Sequence, residues 1–352
     1  MTDTAVAHPS GAPNYHALMA RRLTWLFGGV VLLVISSVAD ILIGPAFLNV
    51  GDVVMALFSP DSAAPMVRII VHDIRLPMTL MAVLVGMSLG VAGVHMQTIL
   101  NNPLASPYTL GFSAAAGFGA ALAILTGITL PFLPIMTIPV AAFLMSSFAA
   151  FLVYGFARMR AMSPEVMVLA GIATLFLFQS LQSMVQYLAS PEVLQAIVFW
   201  LFGSLLKASW TNVPIVAGIF VICILALLPN IWQLTALRLG DERAAAIGVN
   251  VRNLRAKVFI IVALLTAGAV AFVGTIGFIG LVAPHIARIL VGEDQRILLP
   301  MAAITGALTM TLASILSKII TPGGVIPIGI VTAVIGVPFL FTLIIYGHRR
   351  HW

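Results

Sequence analysis

The chain has 352 residues, of which 61% are hydrophobic and only 8% charged, with a formal net charge of +6. A mean hydropathy of +1.14 excludes a soluble globule, and with so few charges the positive balance reads as membrane topology rather than nucleic-acid binding. The one cysteine, Cys223, excludes a disulfide framework and a cysteine-based metal cluster.

Residues 1–22 are polar, carry Pro9, Gly11 and Pro13, and read as a cytosolic N-terminal tail. Residues 23–348 read as a single transmembrane domain of about ten helices, because continuous apolar runs cross a bilayer as helices rather than barrel strands. In order the runs are Leu23–Ile43, Leu76–His95, Leu110–Thr126, Ile135–Phe156, Val166–Leu188, Val213–Leu228, Val258–Val273, Phe278–Val291, Ile297–Ile320 and Ile328–Tyr346. The first is too long for a signal-peptide core, and no small-residue cleavage site follows it. Gly44 to Arg75 is the longest external segment and is expected to hold a short surface helix. Pro191 to Trp210 is too interrupted to cross and reads as a half-helix at the outer face. Pro229 to Lys257 is the longest internal connection, and residues 349–352 form a cytosolic end. Of the 17 Lys and Arg, only Arg68, Arg75, Lys207 and Lys318 fall outside when the N-terminus is inside, so both termini are expected to be cytoplasmic.

Within the spans, Gly86, Gly90 and Gly93 recur at i, i+4 and i+7 and form a small face for a neighbouring helix. Gly274, Gly277 and Gly280 punctuate the seventh-to-eighth junction. Gln179, Gln182 and Gln186 lie at i, i+3 and i+7 with Ser183 adjoining. An unbonded amide in lipid costs a few kcal/mol, so this stripe faces either other helices or a hydrated translocation path. Leu239 to Gly248, LGDERAAAIG, is a charged island between apolar runs and reads as a cytosolic docking surface.

Several chemistries are missing from the sequence. No G-x-x-x-x-G-K-[ST] phosphate loop occurs, and none of Lys207, Lys257 and Lys318 follows a glycine. Paired carboxylates, His-x-x-x-His spacing and a Ser–Lys dyad are likewise not found, so no catalytic or metal site is expected and the chain is not read as an enzyme. An ion-coupled carrier needs a titratable group deep in the membrane. Asp40 and Glu165 sit near span ends, and His95 and His285 near membrane boundaries, where structural histidines are the better reading. That carrier therefore stands as an alternative with a weak coupling site.

Seven motifs fall in a recognisable order: RLP at Arg75–Pro77, Gly93 through Gln97, NNPLASPYTLG at Asn101–Gly111, LAGIA at Leu169–Ala173, WLFGSL at Trp200–Leu205, LGDERAAAIGV at Leu239–Val249 and GTIGFIGLVAPHIAR at Gly274–Arg288. By these motifs the chain resembles the FecCD family of ABC-importer permeases, type II importers for iron–siderophores, haem and cobalamin. The resemblance implies an all-α polytopic fold with about ten transmembrane helices, in a bacterial inner (cytoplasmic) membrane. It also implies a second permease subunit (an identical copy or a similar chain), two cytosolic ATPase subunits and a periplasmic substrate-binding protein. ATP and Mg would be used by the ATPase, with no cofactor bound by this chain.

Residue by residue, the resemblance makes 239–250 the coupling segment seated on the ATPase, with Leu239, Gly240, Asp241, Glu242, Ala244, Ala245 and Gly248 carrying the contact. It makes the fifth helix, with Gln179, Gln182, Ser183 and Gln186, a lining of the pathway. It makes Ser163 and Pro164 a cytosolic gate, and Arg75 and Lys318 docking residues for the binding protein. Met78, Gln295, Ser314 and Val325 depart from the family pattern near these docking positions. The expected cargo is a ferric siderophore, followed by haem, cobalamin and, more distantly, an oxyanion such as molybdate.

Overall fold

The computed structural model describes residues 15–46, 48–321 and 323–347. The first part of the expected tail and the C-terminal end, with Arg349 and Arg350, lie outside the described residues. No strand occurs among the described residues. The α-helices are α1 (Tyr15–Leu42), α2 (Val50–Phe58), α3 (Pro65–Ile69), α4 (Leu76–Ile99), α5 (Phe112–Thr126), α6 (Thr137–Met159), α7 (Pro164–Leu188) and α8 (Pro191–Leu201). They continue with α9 (Val213–Leu227), α10 (Ile231–Leu237), α11 (Asp241–Ala246), α12 (Val251–Val273), α13 (Ile279–Val291), α14 (Gln295–Ile319) and α15 (Ile328–Gly347).

Seven helical stretches are long and apolar enough to cross a membrane: those of α1, α3–α4, α6, α7, α9–α10, α12 and α14. The shorter apolar helices α5, α13 and α15 fall where the third, eighth and tenth spans were expected. The half-helix expected after the fifth span is α8. The external segment holds α2 and α3, the latter running through a π-helical turn at Ile70–Arg75 into α4.

The internal connection is shorter than expected. The sixth span continues through a 3₁₀ turn into α10, and the seventh starts at Val251 rather than Val258. The reason is local chemistry. Asn250 caps α12 by accepting the Asn253 N–H at 3.1 Å, and Arg252, Arg255 and Lys257 are good helix formers that hydropathy counts as loop.

Burial sorts the spans. In α4, α12 and α14, 78% of the most apolar stretch is buried, against 17% in α1, 22% in α7 and 28% in α6. The first three form the centre, and α14 packs most extensively against α4. Small residues allow the approach. A Cβ on Gly86 would collide with the carbonyl of Gly306, one on Gly306 with the carbonyl of Gly86, and one on Gly90 with that of Ala302. Gly93 meets Gly280 of α13 in the same way. The expected small face is therefore a packing face.

Candidate functional site

The island expected on the internal side forms a short exposed helix between two glycines of positive φ. Gly240 has φ +99° and Gly248 φ +89°, and at neither would an added Cβ meet anything. These glycines supply backbone angle rather than space. Between them, Asp241, Glu242, Arg243, Ala245, Ala246, Ile247 and Gly248 are exposed, as is Leu239 before Gly240. Ala244 is fully buried and anchors α11 from below. Of the seven residues expected to carry the contact, Ala244 thus faces inward and the other six lie on or beside the free face.

One side chain ties this segment to the bundle. Arg255, in the first turns of α12, has a side chain only 3% exposed. Its Nη2 donates to both carboxylate oxygens of Asp241, at 2.8 and 3.0 Å. Its Nε donates to the Ile99 carbonyl at 2.6 Å, and its Nη1 to the Met162 carbonyl at 3.2 Å. Only a guanidinium offers enough donors, in a fixed fork, to hold three elements at once. In the sequence Arg255 is only one more of the positive charges expected on the internal side.

The turn expected to form the gate lies on the other side of this arginine. Ser163 caps α7, accepting the Val166 N–H at 3.4 Å, and Pro164 occupies the first turn. Just before them, Ala161 and Met162 take left-handed backbone angles, φ +55° and +60°. Asn101, two residues beyond Ile99, does the same at φ +45°. Such conformations cost about 1–3 kcal/mol each outside glycine and persist only when surrounding contacts hold them. A polar cavity of about 470 Å³ joins these parts, lined by Asn101, Ala161, Ser163, Pro164, Glu165, Asp241 and Arg255 among others. The structure therefore brings the expected coupling and gate residues to one place.

A second set of ion pairs fixes the inner ends of neighbouring helices. Arg238 meets Glu293 at 2.7 Å, Arg288 meets the same carboxylate at 3.0 Å, and Arg288 also donates to Gln97 at 2.9 Å. Asp294 caps α14, and the Arg296 side chain bonded to its carboxylate holds that group below the usual carboxylate range.

The glutamine stripe is split. Gln179 and Ser183 are exposed on α7, with the Ser183 hydroxyl donating to the Gln179 carbonyl at 2.9 Å. Gln186 is half-buried beside them. Gln182 turns toward α5, where its Oε1 lies against Gly117. The same face of α7 exposes Leu169, Phe176 and Tyr187.

The outer cations differ from expectation. Arg75 is 3% exposed and donates to the carbonyls of Ile41, Leu42 and Ala46 at 2.6–2.9 Å, closing the end of α1. Lys318 is 5% exposed, and its Nζ donates to the Asp40 carboxylate and carbonyl, both at 2.8 Å. Asp40 is fully buried and also accepts from Thr79 at 2.6 Å. Neither cation is presented at the surface of the single chain, where a docking contact with a binding protein was expected. A buried carboxylate and the free carbonyls of a helix end engage them instead.

Sequence reasoning also missed a cavity of about 570 Å³ where interrupted helices meet. Tyr108, Phe202, Thr275 and Phe278 line it together with the start of α15. Gly329 N–H donates to the Phe202 carbonyl at 3.0 Å and Ile328 N–H to that of Gly203 at 3.1 Å. Non-helical backbone at membrane depth is tolerated when protein satisfies it in this way. Phe278 takes φ +67°, and no sequence signal marks it.

An all-helical bundle of apolar spans with an exposed polar helix on one side is the architecture of a polytopic membrane protein. Comparison with known proteins gives the family. Residues 32–346 match the FecCD transport family. The molybdate import system permease of Haemophilus influenzae is 35% identical over 92% of this chain and 96% of its own length. An Fe(3+)-citrate import system permease of Bacillus subtilis is 36% identical over 91% and 94%. A solved metal-chelate type ABC transporter in an inward-facing conformation superposes with a TM-score of 0.80, at 32% identity over 91% of this chain and 98% of that one. The chain belongs to the FecCD transport family and is the permease of an ABC importer. It works with ATPase and substrate-binding partners and has no catalytic activity of its own. Membership sets aside the ion-coupled carrier.

Proposed function

We propose that this permease carries a ferric siderophore into the cytoplasm along a path lined by α7. The observation that carries this reading is the exposed amide and hydroxyl face of Gln179 and Ser183 in an otherwise apolar helix. Polar groups left in lipid are costly, so this face calls for a hydrated neighbour. A second permease copy facing it across the path supplies one. Neutral amides suit a bulky chelate rich in hydrogen-bonding groups better than a bare oxyanion, which would call for fixed cations along the wall.

In this reading, residues 23–348 form one membrane domain with both ends in the cytoplasm of an inner membrane, as the Lys and Arg distribution favours. Segment 239–250 seats on the ATPase, which binds ATP and Mg, and the Ser163–Pro164 turn closes the inner mouth. This chain holds no cofactor. Haem and cobalamin remain cargo alternatives within the family. Molybdate gains weight from the Haemophilus relative, which is as similar as the ferric-citrate one.

The test is uptake in cells lacking and then regaining this chain, with radioactive iron given as a siderophore panel and as haem, and with labelled cobalamin and molybdate in parallel. Restored uptake of one siderophore is expected. Restoration of haem, cobalamin or molybdate uptake alone overturns the cargo reading.

A further inference from the structure

We infer that Arg255 is a positioning residue that transmits movement of segment 239–250 to the gate turn at 161–164. The inference rests on reading that segment as the ATPase seat, and it names the link between seat and gate. Three observations converge on this guanidinium. It is buried apart from the side that meets the polar cavity, so its donors are held mainly by protein acceptors. Its acceptors belong to three different elements: Asp241 in α11, Ile99 at the end of α4 and Met162 before α7. Among the described residues, four non-glycine positions have positive φ, and three of them, Asn101, Ala161 and Met162, adjoin these acceptors.

The placement of strain is what separates a link from a brace. A brace needs no strained neighbours. Here the Met162 carbonyl that receives Arg255 belongs to a left-handed residue, and Ala161 beside it is left-handed too. Strained backbone persists only where contacts over-determine it, and it collects at switches. Asp241, by contrast, is half exposed on a short helix between two glycines of positive φ, so a partner seated on that helix can reach it. A shift of Asp241 pulls on Nη2 of a rigid planar group. The same group holds Met162 through Nη1, so the turn loses or regains one of the contacts that hold it. The adjoining polar cavity gives the turn somewhere to go.

The test uses the whole importer, this chain assembled with its ATPase subunits. Cys223 is replaced by Ser and Glu165→Cys reports on the gate turn, since Glu165 is exposed and lines the cavity. The probe is a charged maleimide, and its labelling rate is compared without nucleotide and after vanadate trapping with ATP. In the parent, a change of about fivefold or more is expected. Arg255→Gln is expected to remove most of that change while the ATPase still co-purifies and hydrolyses ATP within about threefold of the parent rate. Arg255→Lys, which keeps the charge but not the fork, should fall between the two.

An undiminished labelling change in Arg255→Gln overturns the inference, as does a parent whose labelling ignores nucleotide. If Arg255→Gln does not assemble, Asp241→Ala, which removes both acceptors of Nη2, decides. It leaves Arg255 on its two carbonyls, and a labelling change below half the parent supports the link while full amplitude overturns it. A failure of the seat reading looks different. In that case Ala245→Trp, on the exposed face, leaves ATPase co-purification and hydrolysis at parent levels.

Discussion

Two buried cations sit at opposite ends of the bundle with nearly the same chemistry and opposite consequences. Lys318 at the end expected to be outer and Arg255 at the end expected to be inner each hold one carboxylate and at least one backbone carbonyl. At the outer end both partners are buried, with side chains of Lys318 and Asp40 2% and 0% exposed. At the inner end the cation is buried at 3%, but the Asp241 carboxylate is 50% exposed. A pair closed on both sides can only fix its helices, α1 against α14. A pair open on one side can be worked from outside. Burial of the second partner, rather than the presence of an ion pair, separates a lock from a link.

The largest effect is expected from breaking the lock. Asp40→Asn or Lys318→Met alone leaves an uncompensated buried charge and should destabilise by about 3–5 kcal/mol. The double variant Asp40→Asn with Lys318→Met removes both charges and should recover most of that loss. Thermal unfolding of the purified permease checks this, and a single variant with unchanged Tm would remove the distinction drawn here. A slightly smaller loss is expected where α14 meets α4. Gly306→Val drives side-chain atoms into the Gly86 carbonyl and should cost about 1–3 kcal/mol by overpacking, since the backbones have little room to part.

Much of this frame could be read from the chain. The seven long apolar stretches, the shorter apolar helices between them and the glycine face follow from hydropathy, run length and i, i+4 spacing, because lipid leaves backbone few options. The Ser163 cap and Pro164 follow from local helix chemistry. What escaped was pairing across the chain. Lys318 and Arg75 lie near span ends and so read as surface cations. The Asp40 that claims Lys318 is 278 residues away, and the Arg75 acceptors are carbonyls, which carry no sequence mark. Arg255 escaped for the same reason, with partners 14, 93 and 156 positions distant. The left-handed angles at Ala161 and Met162 were also hidden, since neither residue type favours them.

The link should respond differently from the lock. Asp241→Asn removes a pair whose carboxylate is half in water and leaves Arg255 on two carbonyls, so its stability cost should be smaller than that of the outer pair, about 1–3 kcal/mol. Uptake should nonetheless fall by tenfold or more if the pair transmits motion. A Tm loss as large as that of the outer pair, with uptake reduced only in proportion to folded protein, would make the two sites equivalent. Gln179→Leu sharpens the contrast from a third position. Its side chain is exposed and serves neither lock nor link, so Tm should hold within about 0.5 kcal/mol while uptake of a polar chelate slows several-fold.

The smallest effect expected is a pH dependence at the inner end of α14. Asp294 caps that helix, and its carboxylate, bonded to Arg296, has its pKa lowered on folding. A lowered folded value means that the stabilising contribution is complete above the ordinary carboxylate pKa of about 3.9 and drains away as pH falls through the folded value. Between pH 8 and pH 5 the group should therefore contribute no slope, and the parent and Asp294→Asn should run parallel in Tm. Below about pH 4 the two curves should converge as the parent carboxylate takes up its proton. Curves that instead diverge there would mean that the protonated acid is the better cap. The inner end of α14 would then be held by something other than the Arg296 and N–H contacts on that carboxylate.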